Sequence, residues 1–220
     1  QNRLVLRAQY DYAAPFSEGL AQVGIEKSSG YLDAGYIDAS GKLVLRRAGG
    51  PFQSGLAVQS VNLDGPHVMD GKQKWTYIDK QGKTAIDTDY YRLDSFAEGL
   101  GYAMFEDGGG AGYLDAKGRI VLDDRMRTDG LSYGGSFAEG RAPAAQNGKM
   151  GFVDKKGREV IPCIFDYAEG FVEGFSAVSI HEKWGFVDRS GTLLVPLEYE
   201  EVHVFSDGLA AVREGERWGY

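Results

Sequence analysis

The stretch from Phe171 to Gly191, FVEGFSAVSIHEKWGFVDRSG, decides how the rest of the chain is read. An aromatic residue opens it, and a Glu-Gly pair and a short apolar run follow. A polar turn then leads into Trp-Gly-Phe-Val-Asp and a closing glycine. The pattern returns from Phe205 as FSDGLAAVREGERWGY, and earlier copies open at Phe16, Phe52, Phe96 and Phe137. Six tandem units thus fill the 220 residues, which read as a single repeat domain, residues 1–220.

Three strands are expected in each unit. The first is the segment after a closing glycine, such as GKLVL at 41–45, GREVIP at 157–162 and GTLLVP at 191–196. The second follows the Phe-x-Glu-Gly turn, as in LAVQSV at 56–61 and FSAVSI at 175–180. The third is rich in aromatics, as in GYID at 35–38 and WGFVD at 184–188. Alternation along that third strand puts Ile37, Ile78, Leu114, Val153 and Val187 on one face, and Tyr36, Tyr77, Tyr113, Phe152 and Phe186 on the other. Both faces are apolar, so each sheet needs a neighbour on either side, which stacking of units supplies. In the turns DASGK, DKQGK, DAKGR, DKKGR and DRSGT the aspartate is placed to accept from backbone N–H groups two residues on.

The expected fold is therefore all-β, with six tandem three- to four-stranded units. Residues 2–6, NRLVL, match the segment that follows each closing glycine and are read as completing the last unit. This favours a closed, β-propeller-like ring over an open β-solenoid; the small unit, about 37 residues, argues for the solenoid.

The Trp-Gly-aromatic-Val-Asp-x-x-Gly pattern, with Phe-x-Glu-Gly-Leu-Ala upstream, resembles the bacterial WG-repeat family (KWG repeats) over essentially the whole chain. Trp184-Gly185 and Trp218-Gly219 match best, Trp75 is followed by Thr76, and Ala34, Ala111 and Met150 stand where the family has tryptophan. The resemblance implies a β-rich repeat with an interaction or structural role, and it transfers no catalytic residue.

Function on a repeat scaffold is sought where units depart from consensus. The hairpin turn between the second and third strands is lengthened in unit one, and further in unit two, NLDGPHVMDGKQK at 62–74. The rim carrying these two turns is the expected contact surface, with Tyr31, Leu32, Asp64, Pro66, His67, Val68, Met69 and Asp70 as binding residues. Unit three instead lengthens what reads as the preceding connection, DDRMRTDGLSYGGS at 123–136, whose Asp123-Asp124 pair beside Arg125 and Arg127 reads as a solvated loop.

The net charge of −8 and the absence of a clustered basic face disfavour nucleic acid and anionic membranes as partners. No apolar run nears the ~20 residues of a membrane span. His67, His181 and His203 lack metal-ligand spacing, and Cys163 reads as a small buried hydrophobe. Repeated carboxylates read as turn caps rather than catalytic pairs, so no catalytic residue, metal or cofactor is expected. The function expected is a non-catalytic protein-binding module whose acidic charge suits a basic protein as partner, for example an immunity protein against an effector or toxin. A carbohydrate- or envelope-binding protein is the alternative. Gln1 in place of Met puts a periplasmic or secreted location slightly ahead of a cytoplasmic one.

Overall fold

Short apolar segments punctuated by glycine can satisfy their backbone only by pairing with near neighbours, and antiparallel meanders result. The computed structural model describes residues 6–28, 32–47, 49–62, 73–105 and 109–220. Among them the chain forms six small antiparallel sheets of three or four strands and a single one-turn 3-10 helix, Asp124–Met126. The fifth sheet shows the plan: Tyr167–Ala168, Phe175–Ile180, Lys183–Asp188 and Leu193–Tyr199 pair in chain order.

Two details differ from the sequence reading. The segment after each closing glycine is the last strand of the preceding cassette: Val195 pairs with Phe186, and Ile161 with Phe152. In addition, a two-residue edge strand precedes the Phe-x-Glu-Gly turn in the first, fourth, fifth and sixth sheets. Two residues carry too little periodicity to be read from sequence.

The chain divides into two compact units, residues 1–106 with 115–119, and residues 107–114 with 120–220. In each, the expected two-faced burial is present. All ten third-strand positions named above are at most 3% exposed. Within the first unit, Tyr36 meets Phe52 at 5.0 Å and Tyr77 meets Phe96 at 4.7 Å. Within the second, Tyr113 meets Phe137 at 4.7 Å, Phe152 meets Phe171 at 4.9 Å, and Phe186 meets Phe205 at 4.9 Å. The opening Phe of one repeat is thus the edge-on partner of the third-strand aromatic before it (tilted in Tyr113–Phe137), a geometry that adds about 0.5–1.5 kcal/mol to area burial. Where that aromatic is tyrosine its hydroxyl donates onward, Tyr36 to the Gly50 carbonyl at 2.7 Å and Tyr77 to that of Asp94 at 2.6 Å. Burial pushes the Tyr36 hydroxyl pKa up to about 12.

The motif glycine exists because another backbone lies against it. A Cβ on Gly185 would sit 2.3 Å from the Val195 carbonyl oxygen, and one on Gly151 would sit 2.4 Å from that of Ile161. The cause is a wide bulge. From Trp184 to Phe186 the third strand advances two residues while its partner runs four, from Tyr199 to Val195, through Pro196. The second sheet has no such interruption there, since Thr76 faces Asp87 and Tyr77 faces Ile86, and a threonine is accommodated.

Candidate functional site

The recurring carboxylates hold backbone. Asp38 Oδ1 accepts the N–H groups of Ser40 at 2.9 Å and Lys42 at 3.1 Å, and Asp188 Oδ1 those of Ser190 at 2.8 Å and Thr192 at 2.9 Å. Donation by the Ser40 and Ser190 hydroxyls, then by those N–H groups, keeps both carboxyls below the usual aspartate range. The Phe-x-Glu-Gly glutamate caps a different turn from its own. Glu18 accepts from Gly55 N–H at 3.0 Å, Glu139 from Gly174 N–H at 2.9 Å, and Glu173 from Gly208 N–H at 2.8 Å. Each glutamate sits at positive φ, 49° at Glu18, 52° at Glu139 and 53° at Glu173, which aims its side chain at the following repeat.

A third set escaped the sequence reading. Asp11 accepts the Glu26 N–H at 2.8 Å, Asp166 that of His181 at 2.7 Å, and Glu200 that of Gly215 at 3.0 Å. Asp166 and Glu200 therefore cap the first residue of the turn between the second and third strands, and Asp11 the last residue of the second strand, Glu26. An acid five residues before Phe16, Phe171 and Phe205 is the signal that would have found it. In the fifth and sixth repeats this acid also meets the basic residue beside the preceding repeat's tryptophan position, as Lys149–Asp166 and as Lys183–Glu200 at 3.0 Å. Lys149, then the His181 N–H, lowers the Asp166 pKa; Lys183, then the Gly215 N–H, lowers that of Glu200.

Of the expected contact residues, Tyr31, Asp64, Pro66, His67, Val68, Met69 and Asp70 lie outside the described residues. Leu32 begins the strand Leu32–Asp38, opposite Glu26, at the root of the lengthened turn of the first repeat. At that root lies a cavity of about 210 Å³, lined by Tyr10, Val23, Gly24, Ile25, Asp33, Ala34, Gly35, Leu43 and Arg46. It exceeds the ~150 Å³ that admits a benzene ring to an apolar cavity. Val23, Ile25, Ala34 and Leu43 are its aliphatic walls; Asp33, which pairs with Lys27 at 3.3 Å, and Arg46 are the charges. Sequence reasoning chose the turn above this cavity but not the cavity itself.

The 123–136 connection is anchored rather than solvated. Asp124 is buried, accepting the Ala111 N–H at 2.7 Å and the Tyr133 N–H at 3.1 Å, while Asp123 caps Arg125 at 3.0 Å. Cys163 is half-buried, and burial, then nearby Glu159, pushes its thiol pKa up to about 11. No group of three or more His, Cys, Asp or Glu among the described residues is arranged for a metal ion, and no helix among them is long and apolar enough to cross a membrane.

Comparison with protein families matches the model of the WG containing repeat at residues 1–27, 75–109, 150–184 and 184–218. Comparison with curated proteins yields no match. Among solved structures, one similar chain is a protein of unknown function from Bacteroides caccae. It is 12% identical over 83% of this chain and 79% of that one, with a TM-score of 0.33.

Proposed function

Since the chain belongs to the WG-repeat family, whose matches span more than half of it, we propose that it is a non-catalytic protein-binding module. The observation that carries this reading is the contrast within the repeats. Their common carboxylates are engaged in holding turns, whereas the first repeat combines a lengthened hairpin with a cavity of mixed character at its root. Net charge of −8 favours a basic partner through faster encounter and electrostatic complementarity. An immunity protein that occupies and inhibits a basic effector or toxin is one concrete form.

The test is affinity capture from the organism of origin, using the intact chain and a variant in which residues 63–72 are replaced by Asn-Gly. Asn62 and Gln73 are paired, so a two-residue turn closes this hairpin just as Asn147-Gly148 closes the one between Gln146 and Lys149. A stoichiometric protein held by the intact chain and lost by the variant is expected; equal retention would remove the rim as the contact surface. The half-exposed Trp218, 4.8 Å from the His203 ring, gives the carbohydrate-binding reading one observation in its favour. Quenching of tryptophan fluorescence by a glycan panel would select that reading over the first.

A further inference from the structure

We infer that the turn end of the fourth sheet docks an acidic segment of a protein, with Arg141 as the residue that meets its carboxylate. This surface lies at the end of its sheet opposite the hairpin between the second and third strands. The inference therefore goes beyond the rim proposed above and does not depend on it.

The residue after the Phe-x-Glu-Gly glycine is apolar in the other repeats, as Leu20, Leu56, Leu100, Phe175 and Leu209 (Asp replaces Glu before Gly208, and Ser before Gly55); in the fourth it is Arg141. In the fifth repeat this residue, Phe175, stacks on Phe205 at 4.3 Å. Arg141 thus brings a cation to a position that other repeats give to an apolar side chain. It is half-buried, and its Nε is an enclosed donor without a hydrogen-bond partner. Among the described residues the one hydrogen bond of its guanidinium runs from Nη1 to the carbonyl of the preceding residue, Gly140, at 3.1 Å. A cation drawn partly out of water in this way is costly until a counter-charge arrives.

The neighbouring carboxylates are already engaged. Ala142 pairs with Val153, so the next residues outward, Arg141 and Asp154, face each other as Phe175 and Asp188 do in the fifth sheet. Asp154 accepts the N–H groups of Lys156 at 2.9 Å and Arg158 at 3.0 Å, and the Arg158 guanidinium at 2.8 and 2.6 Å. Glu139 accepts Gly174 N–H and the Arg189 guanidinium, and Glu159 the Cys163 N–H at 2.8 Å. The paired cations stand outside their acids. The side chains of Asp154 and Glu139 are 13% and 24% exposed, and those of Arg158 and Arg189 67% and 55%. Lys156 is exposed too, and its turn, DKKGR at 154–158, is the richest in cations of the five Asp-x-x-Gly turns.

A short carboxylate-bearing segment fits this surface better than a nucleic acid does. The net charge of −8 repels a long phosphate chain, whereas a local contact within the ~10 Å Debye length senses mainly the cations of this turn. Guanidinium–carboxylate hydrogen bonds are charge-assisted, which suits Arg141 to the role.

The probe is the acetylated, amidated peptide Gly-Glu-Glu-Glu-Gly, titrated into the intact chain. The readouts are the Arg141 Nε–H resonance and the amide resonances of Lys156 and Gly157. Saturable binding is expected, weakening several-fold between 50 and 200 mM salt, on the order of what screening of exposed charges produces. Arg141→Leu should weaken it about 10-fold, the loss of one charge-assisted contact. Lys156→Glu should weaken it as well, whereas Arg213→Ala, which removes a cation paired with Glu201 on the sixth sheet, should not. The urea midpoint of Arg141→Leu should stay level or rise, since leucine is what other repeats carry there. Unchanged peptide affinity in Arg141→Leu, or equal binding of Gly-Gln-Gln-Gln-Gly, overturns the inference. A lowered midpoint overturns it too, by showing that the side chain serves the fold. Tighter binding of pentathymidylate than of the peptide overturns it in favour of nucleic acid.

Discussion

Replacing Gly185 by alanine should be among the most damaging single-methyl additions in the chain. The new Cβ would lie 2.3 Å from the Val195 carbonyl oxygen, 2.6 Å from that of Pro196 and 2.8 Å from the Pro196 carbonyl carbon. An ordinary carbon–oxygen approach is about 3.3 Å or more, so the strands must separate by roughly 1 Å. All three obstacles are backbone, so no side chain can swing aside. Overpacking of this kind costs about 1–3 kcal/mol, and disturbing the ladder between Lys183–Asp188 and Leu193–Tyr199 adds about 1 kcal/mol per hydrogen bond lost. Against this stands a gain of about 0.4–1 kcal/mol from the reduced freedom of the unfolded chain. The net expectation is about 3 kcal/mol, or roughly 6–12 °C in melting temperature for a chain of this size. Urea unfolding followed by tryptophan fluorescence measures it, with Trp184 adjacent to the change. Gly219 is the internal control, because a Cβ there meets nothing within 4 Å, and Gly219→Ala should shift stability by less than about 0.5 kcal/mol. A loss under about 1 kcal/mol in Gly185→Ala would refute the claim that the motif glycine is dictated by the neighbouring strand.

Glu139→Ala should cost about 2 kcal/mol, chiefly through the charge-assisted bond from Gly174 N–H at 2.9 Å; the partner Arg189, at 2.8 Å and more than half exposed, contributes little. A double-mutant cycle with Arg189→Ala by chemical denaturation separates the two. The fifth repeat's turn, His181-Glu182, holds both residues at positive φ, 50° and 62°, where the fourth repeat uses Asn147-Gly148. Installing Asn-Gly at 181–182 should therefore raise stability by about 1 kcal/mol in the same assay. Acid should unfold the protein through its turns. The Ser40 hydroxyl holds Asp38 low, the Arg119 guanidinium Asp115, and the Ser190 hydroxyl Asp188. Folded pKa values below the unfolded value of about 3.9 mean that the stabilisation is complete above that pH and is lost as pH falls through the folded values. The urea midpoint should stay level from pH 7 to 5 and drop below about pH 4.

What was legible in the sequence was whatever the repeat states locally. Alternation in GYID and GFVD gave the two buried faces, because a side-chain period of two needs only the strand itself to express it. The Asp-x-x-Gly turns were legible for the same reason: donor and acceptor lie within four residues. The assignment of VIP to the start of a unit rather than the end of the preceding sheet shows where locality stops. A strand's partner is set by the turn that connects them, and a short polar turn such as DRSG joins its two flanking strands, Lys183–Asp188 and Leu193–Tyr199. A ring is a further step, since closure concerns the placement of whole sheets, about which pairing inside each sheet is silent.

The site was less legible because its chemistry is written between repeats. Glu18 and Gly55 are 37 residues apart, so a glutamate that looks like its own turn's cap turns out to hold the following one. The cost of a left-handed glutamate, about 1–2 kcal/mol, makes sense only with that distant amide in view. Asp11, Asp166 and Glu200 likewise gain meaning from hairpin turns some fifteen residues away. Substitutions of the motif tryptophan look like decay when each repeat is taken alone. At two interfaces the side chain at this position shares a cluster with the second strand of the following sheet. Met150 packs against the cluster that contains Val178, and Trp184 against the one that contains Ala210, which Val212 also joins. On the first sheet Val23 lines a cavity, and Asp33 and Ala34, which depart from consensus, line it too. Variation there leaves the turns and the aromatic contacts that hold the sheet in place, since those rest on Asp38 and on Tyr36 against Phe52.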